Sequence, residues 1–309
     1  MTTVPAPATP APVLDKPLMR YGRRTLERNA PGREPVEYQL LTVHPMTPHL
    51  GAELGGVDLS QPIGAELADE IRAALLEWKV VFFRDQHSFA PEHQRALAAL
   101  WGEPEENPFF PKGQGVGVSR LAKDATAVGN ENIWHSDHSF MANPALGSVL
   151  RAVEVPPAGG DTMWADMGAA YDNLPDELKQ RIEGLRAEHD WVPSWGSMMT
   201  EEQIAKLRER LPAVQHPVVV RHPVTGRRLL YVNEPFTTRI VGLSAEESRE
   251  LLDELVLQAR IPEYQVRFRW RADSVAIWDN IAVQHYAISD YYPARRVMER
   301  IAIAGVPLS

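Results

Sequence analysis

Between Tyr264 and Arg271 the side chains alternate without a break. Tyr264, Val266, Phe268 and Trp270 are apolar, while Gln265, Arg267, Arg269 and Arg271 are polar. Successive side chains of a strand point to opposite faces of a sheet, so this stretch has one buried face and one wetted face. Val80–Phe83 is instead apolar throughout and ends at Arg84-Asp85-Gln86, which predicts a strand covered on both sides. Ser148–Val153, Asp161–Trp164, Val275–Trp278 and Arg300–Ala304 are further strand-length runs, and Leu40, Leu41 and Val43 precede turns at Gly51, Gly55 and Gly56. Val218–Val220 and Leu229–Val232 flank Thr225-Gly226, a hairpin signature. Helices are predicted from Ala65, with Leu67, Ile71, Leu75 and Trp78 on one face, and from Pro91, stopping at Gly102. A third carries Leu178, Ile182 and Leu185 on one face. Thr200 with Gln203, and Ser244 with Glu247, form capping boxes for two more. These helices interrupt the strands irregularly, which argues against a doubly wound parallel sheet. The fold expected is mainly β with inserted helices, a jelly roll or double-stranded β-helix.

No repeat or linker divides the folded part, so residues 38–309 are expected to form a single domain. Residues 1–37, rich in Pro, Ala, Thr and Arg, are expected as a disordered or extended arm. Glu103–Gly129 reads as a long loop, the kind that is usually functional or disordered. The chain contains no cysteine, so any metal must be held by His, Asp or Glu. Its net charge of −9 and lack of a basic stripe argue against a nucleic-acid partner. No apolar run is long enough to span a membrane. The first residues carry neither the basic start nor the apolar core of a signal peptide, so a cytoplasmic location is the default expectation.

Two stretches offer chemistry. Trp134-His135-Ser136-Asp137 places an imidazole and a carboxylate at i and i+2, which share one side of an extended segment. His138 then faces away. Far downstream, His285 follows Trp278-Asp279-Asn280. Two imidazoles and one carboxylate are the ligand set of a facial triad that leaves open positions on non-haem Fe(II). Alone, each part also fits a bland role: a hydrogen-bonded pair on a loop, or a satisfied structural histidine. Arg295, Arg296 and Arg300 follow, with Arg296 and Arg300 four apart on one face. Guanidiniums on an interior face are costly unless they meet anions, and Arg binds carboxylate bidentately. The bland alternative is surface pairing with Glu299 and Asp290.

In order and spacing, several segments resemble the taurine dioxygenase family of Fe(II)/2-oxoglutarate-dependent oxygenases. They are Ile133–Phe140, Gly159–Trp164, Leu185–Asp190, His216–Val219, Val232–Ile240, and Ile277–Asn280 through His285-Tyr286 to Arg296 and Arg300. The resemblance runs from about residue 40 to the C-terminus. It implies a jelly roll in which His135, Asp137 and His285 ligate iron. Arg296 would clamp the far carboxylate of 2-oxoglutarate, with Thr162 adding a hydroxyl and Trp164 lying in the same cofactor-binding strand. Arg300 would meet the anionic group of the primary substrate, and Phe140, Trp195 and Phe236 would form its aromatic wall. Such enzymes couple decarboxylation of 2-oxoglutarate by O2 to oxidation of an unactivated C–H bond. Hydroxylation is the commonest outcome; desaturation and epoxidation are the others.

The chain departs from taurine-using members in the loop before His135. Those members place a histidine there and a tyrosine three residues later, where this chain has Asn107 and Phe110. Asn107 cannot carry charge, and Phe110 has no hydroxyl. The expected substrate is therefore a fairly apolar organic acid, such as a terpenoid or other biosynthetic carboxylate. An alkyl sulfate, an alkylsulfonate or taurine is the alternative. A non-catalytic jelly-roll binding protein is the alternative of another class. A zinc hydrolase with the same ligands would leave Arg296 and Thr162 unexplained. A homo-oligomer, dimer or tetramer, is also expected.

Overall fold

A computed structural model describes residues 23–105, 109, 117–127, 129 and 131–309. Residues 23–37 form no helix or strand, and part of their main chain is held by the folded part. The Asn173 amide exchanges hydrogen bonds with the Thr25 main chain at 2.8 and 2.9 Å, and Lys79 Nζ donates to Arg28 O at 2.8 Å.

The first sheet begins with β1 (Thr42–Pro45) and β2 (Ala52–Gly55), followed by α1 (Ala65–Trp78) and β3 (Val80–Phe83). Every residue of β3 is buried, as its unbroken apolar run requires. Next come α2 (Pro91–Ala98) and β4 (Ser119–Lys123). β4 lies inside the segment expected as a loop. Its residues are half-buried or exposed, so it carries no apolar period by which to recognise a strand. β5 (Gly147–Glu154) and β6 (Thr162–Asp166) follow, then α3 (Met167–Asp172), α4 (Asp176–Ile182), β7 (Arg186–His189), α5 (Val192–Trp195) and α6 (Glu201–Arg208). β8 (Val214–Pro217), the hairpin of β9 (Val219–Arg221) and β10 (Arg228–Leu230), β11 (Thr237–Ile240) and α7 (Ala245–Val256) come next. β12 (Gln265–Phe268), β13 (Val275–Asp279), β14 (Val283–Ala287) and β15 (Arg296–Ile303) complete the order. Both capping boxes form: the Thr200 and Ser244 hydroxyls accept from the main-chain N–H of Gln203 and Glu247.

The larger sheet runs β1-β2-β3-β13-β5-β15-β4, and its only parallel pair is β2 with β3. A smaller sheet, β12-β6-β14, lies over it, and the apolar layer between them holds Phe82, Trp164, Phe268, Trp270 and Trp278. Phe82 and Phe268, one from each sheet, stack with ring centres 3.9 Å apart. The alternation of Val266, Phe268 and Trp270 thus aims one face of β12 at the larger sheet. α1 and α2 cover the other face of the larger sheet through Ile71, Leu75, Trp78 and Leu97. The architecture is a jelly roll with inserted helices. No helix among the described residues is long and apolar enough to cross a membrane.

Candidate metal centre and cosubstrate cavity

His135 follows Ile133-Trp134 as an isolated bridge residue, just before the turn at 137–140. Reciprocal main-chain hydrogen bonds join it to β14: the His135 N–H to His285 O at 3.0 Å, and the His285 N–H to His135 O at 2.8 Å. Histidines far apart in sequence therefore become neighbours through backbone pairing. The Asn280 side chain, in the turn between β13 and β14, holds Asp137. Its Oδ1 accepts the Asp137 N–H at 2.8 Å, and its Nδ2 donates to Asp137 O and Ala145 O, each at 2.9 Å. His135 Nε2 lies 3.8 Å and His285 Nε2 3.9 Å from Asp137 Oδ1, and one ligand atom from each residue falls within 4.8 Å of the others. A single ion between them is within reach of all three. His138, at φ 54°, turns its Nδ1 to the carboxylate of Glu105, away from this group.

The electrostatics suit a divalent cation. Burial pushes the His135 imidazole below its usual pKa. Burial, aided by His135, takes His285 down to about 3 against the pull of Asp137. Burial also opposes ionisation of Asp137. The Arg300 guanidinium 2.7 Å away, and then the imidazoles of His285 and His135, outweigh it and hold the carboxyl far below the usual range. Near neutral pH the group is two neutral imidazoles and one carboxylate, the states in which these side chains bind metal. His135 Nδ1 faces Ile133 O at 2.9 Å. With Nδ1 as the donor, the lone pair of Nε2 is left for the ion.

A cavity opens beside the three residues, walled by Thr162, Trp278, Arg296, Met298 and Arg300 and rimmed by Lys123, Glu131 and Tyr291. Arg296 is 8% exposed. Its Nε donates to Gly160 O at 3.1 Å, and its Nη2 lies 3.5 Å from Thr162 Oγ1. Nη1 has no partner, and no carboxylate pairs with this guanidinium, among the described residues. Burial lowers its pKa. A buried cation with a free donor edge facing a cavity calls for an anion, and a dicarboxylate such as 2-oxoglutarate fits. Gly160 makes room for the Arg296 side chain: at φ +71°, a Cβ there would stand 3.1 Å from Arg296 Cδ.

The surface pairing with Glu299 and Asp290 does not occur. Arg295 alone is a surface ion pair, with Glu154 at 2.9 Å. Glu299 faces Arg120 and Arg151, and Asp290 accepts the Gly160 N–H. Arg300 lines the cavity and donates through Nη1 to Asp137 Oδ1 at 2.7 Å. Trp164 does not reach the cavity. It is fully buried between the sheets, its ring centre 5.3 Å from that of Phe82 and 5.9 Å from that of Trp278. Its size fills the core, and only Thr162, two residues earlier on β6, lines the cavity. Phe140, Trp195 and Phe236 pack against one another at 5.0–5.4 Å, and the Phe236 ring lies 6.5 Å from that of His135. Asn107 and Phe110 fall outside the described residues. Phe109 is described and meets Trp195 at 4.8 Å.

Three contributors had no role assigned from sequence: Asn280, Ser148, whose Oγ donates to Asp137 Oδ2 at 3.2 Å, and Trp270, whose Nε1 donates to Thr162 Oγ1 at 2.9 Å. Asn280 ends the Ile277–Asn280 segment that carries the family resemblance, but a side chain that serves another residue's main chain leaves no spacing signature.

Comparison with known proteins agrees with this geometry. The family described as "Taurine catabolism dioxygenase TauD, TfdA family" matches residues 42–302. An alpha-ketoglutarate-dependent sulfate ester dioxygenase of Pseudomonas putida is 38% identical, over 86% of this chain and 90% of that protein. A crystal structure of a taurine dioxygenase from Burkholderia xenovorans superposes with a TM-score of 0.74 at 37% identity, covering 87% of this chain and 92% of that one. A crystal structure of AAD-2 in complex with Mn(II) and N-oxalylglycine gives 0.75 at 32% identity, covering 87% and 98%. The chain is thus a member of the TauD/TfdA family and a non-haem Fe(II)- and 2-oxoglutarate-dependent dioxygenase.

Proposed function

We propose that this dioxygenase oxidises an unactivated C–H bond of a fairly apolar organic acid, with His135, Asp137 and His285 as the iron ligands. Iron, when bound, supplies the activation of O2 that is coupled to conversion of 2-oxoglutarate to succinate and CO2. The residues do the positioning. Arg296 and Thr162 hold the far carboxylate of 2-oxoglutarate. Arg300 spends one N–H on Asp137 and keeps others for the acid group of the substrate, since a guanidinium carries five donors. Phe140, Trp195 and Phe236 cover the apolar body and exclude water.

The observation that carries the substrate class is a cation and an aromatic wall that both adjoin the ligand group: Arg300 on Asp137, and Phe236 beside His135. A second reading, an alkyl sulfate ester or alkylsulfonate substrate, is favoured by the 38% identical sulfate ester dioxygenase of Pseudomonas putida. In that reading Arg300 meets the sulfur oxyanion. A matched set of carboxylates, sulfates and sulfonates on the same alkyl chains, with taurine included, separates the two. Succinate release and the mass of the organic product are the readouts. Equal stimulation by uncharged analogues would sink the role given to Arg300.

Replacing Arg296 with Ala is expected to raise KM for 2-oxoglutarate by roughly 10- to 150-fold, the range for a charge-assisted hydrogen bond. Lys should recover only part of this loss, because it offers one point charge in place of a planar fork. A KM within twofold of the parent would remove Arg296 from the cosubstrate site.

A further inference from the structure

We infer that Trp270 is a positioning residue for the cosubstrate, acting through the hydroxyl of Thr162. A threonine hydroxyl has one hydrogen to donate and two lone pairs with which to accept. Trp270 Nε1 is a donor only, and it points at Thr162 Oγ1 from 2.9 Å in a buried contact. Arg296 Nη2 approaches the same oxygen at 3.5 Å. Both approaches are from donors, so they occupy the lone pairs and leave the hydroxyl hydrogen as the group still to be placed. No acceptor for it exists among the described residues. The open direction is the cavity that Thr162 and Arg296 line together. Trp270 thereby sets the polarity of the hydroxyl: it acts as a donor toward an anion in the cavity.

The fold keeps Trp270 in this place. Phe268 pairs with Thr162 across β12 and β6, and Trp270 lies two residues further along on the same inward face. Its ring packs edge-on to Phe268 at 4.9 Å and tilts toward Trp164 at 6.5 Å. It does not itself line the cavity, so any effect on the cosubstrate passes through Thr162.

The inference rests on the assignment of Thr162 and Arg296 to the far carboxylate, and the two can fail separately. The test is anaerobic titration of the Mn(II)-loaded full-length protein with 2-oxoglutarate, and with N-oxalylglycine as a non-reacting probe. Thr162→Val should weaken binding about tenfold and Trp270→Phe about fivefold, as expected when a hydrogen bond to a charged group is lost or misdirected. In the Thr162→Val background, Trp270→Phe should add less than twofold, the non-additivity of two groups acting through one contact. Mn(II) affinity should be unchanged in both single variants. Phe at position 270 alters packing as well as the N–H, so a second replacement uses the sulfur isostere of tryptophan, β-(3-benzothienyl)alanine. It keeps the ring shape and removes only the donor, and it should reproduce the Trp270→Phe result. Unchanged binding in Thr162→Val overturns the cosubstrate assignment and the inference with it. A weakened Thr162→Val alongside an isostere that binds like the parent, or fully additive variants, overturns the role of Trp270 alone.

Discussion

His135→Ala should abolish substrate-stimulated succinate formation, with activity falling more than about a hundredfold. Losing a partner that merely orients a metal ligand typically costs about 10- to 100-fold in metal affinity or activity, and loss of a ligand itself exceeds that. The protein should also lose its stoichiometric iron, measured as metal content after anaerobic loading and desalting. The fold should survive. The main-chain pair between His135 and His285 does not depend on the side chain, and Ser136 Oγ still donates to Val283 O. Far-ultraviolet circular dichroism of the variant should therefore match the parent. Turnover at the parental rate would refute the assignment of the metal centre. Loss of activity with full iron retention would move His135 from ligand to another role.

The second large effect concerns stability. Asp166 is fully buried at the end of β6, the strand that carries Thr162. Its Oδ1 accepts the Gly168 and Ala169 N–H groups at 2.8 and 3.0 Å and so caps α3. Its Oδ2 faces Lys79 Nζ at 3.3 Å and Arg227 Nη1 at 3.5 Å. Asp166→Ala leaves two buried cations short of their shared anion, and removing one partner of a buried pair costs about 3–5 kcal/mol. Much of that is the penalty of stranded charge and not the net worth of the pair. The two partners differ in this respect: burial drives Lys79 below its usual pKa despite Asp166. Denaturant unfolding of Asp166→Ala measures the loss, and a change under about 1 kcal/mol would show that the cluster is rebuilt without it.

The same carboxylate gives a pH signature. Burial works against its charge, but Lys79, Arg227 and His49 bring its pKa down to about 2 in the folded protein. An unfolded aspartate titrates near 3.9. A depressed folded value means that the unfolded state takes up the proton first. The stability Asp166 contributes is therefore complete above about pH 4 and is lost as pH falls toward 2. The acid slope of unfolding free energy in this window should be shallower in Asp166→Asn than in the parent.

How much of this was legible in the sequence varies from element to element. The core of the period-two stretch, which forms β12 at Gln265–Phe268, the all-apolar β3 and both capping boxes were readable because the pattern and the structure obey the same local geometry. β4 was not, since an edge strand with little buried surface needs no apolar period. α3, all but one of whose residues are buried, was missed because a short helix covered on every side has no wet face to mark its period. His285 was anticipated after a turn but stands on a strand of its own, β14. Within the stretch expected as a disordered or extended arm, the main chain of Thr25, Glu27 and Arg28 meets Asn173, Arg227 and Lys79, contacts that no local pattern announces.

By itself the sequence determined the ligand types and the cations available to this protein. With no cysteine, metal chemistry had to use His and carboxylate, and the spacing of Arg296 and Arg300 put two guanidiniums on one face. Only the tertiary structure decided what those groups meet. Sheet register and backbone pairing brought His285 to His135, put the Asn280 amide on the Asp137 main chain, and engaged Arg300 with Asp137. They also sent Trp164 into the core and aimed the Trp270 N–H at Thr162. The reason is physical: periodicity reports which way a side chain points from its own strand, whereas its partners are fixed by which strands pair and in what register.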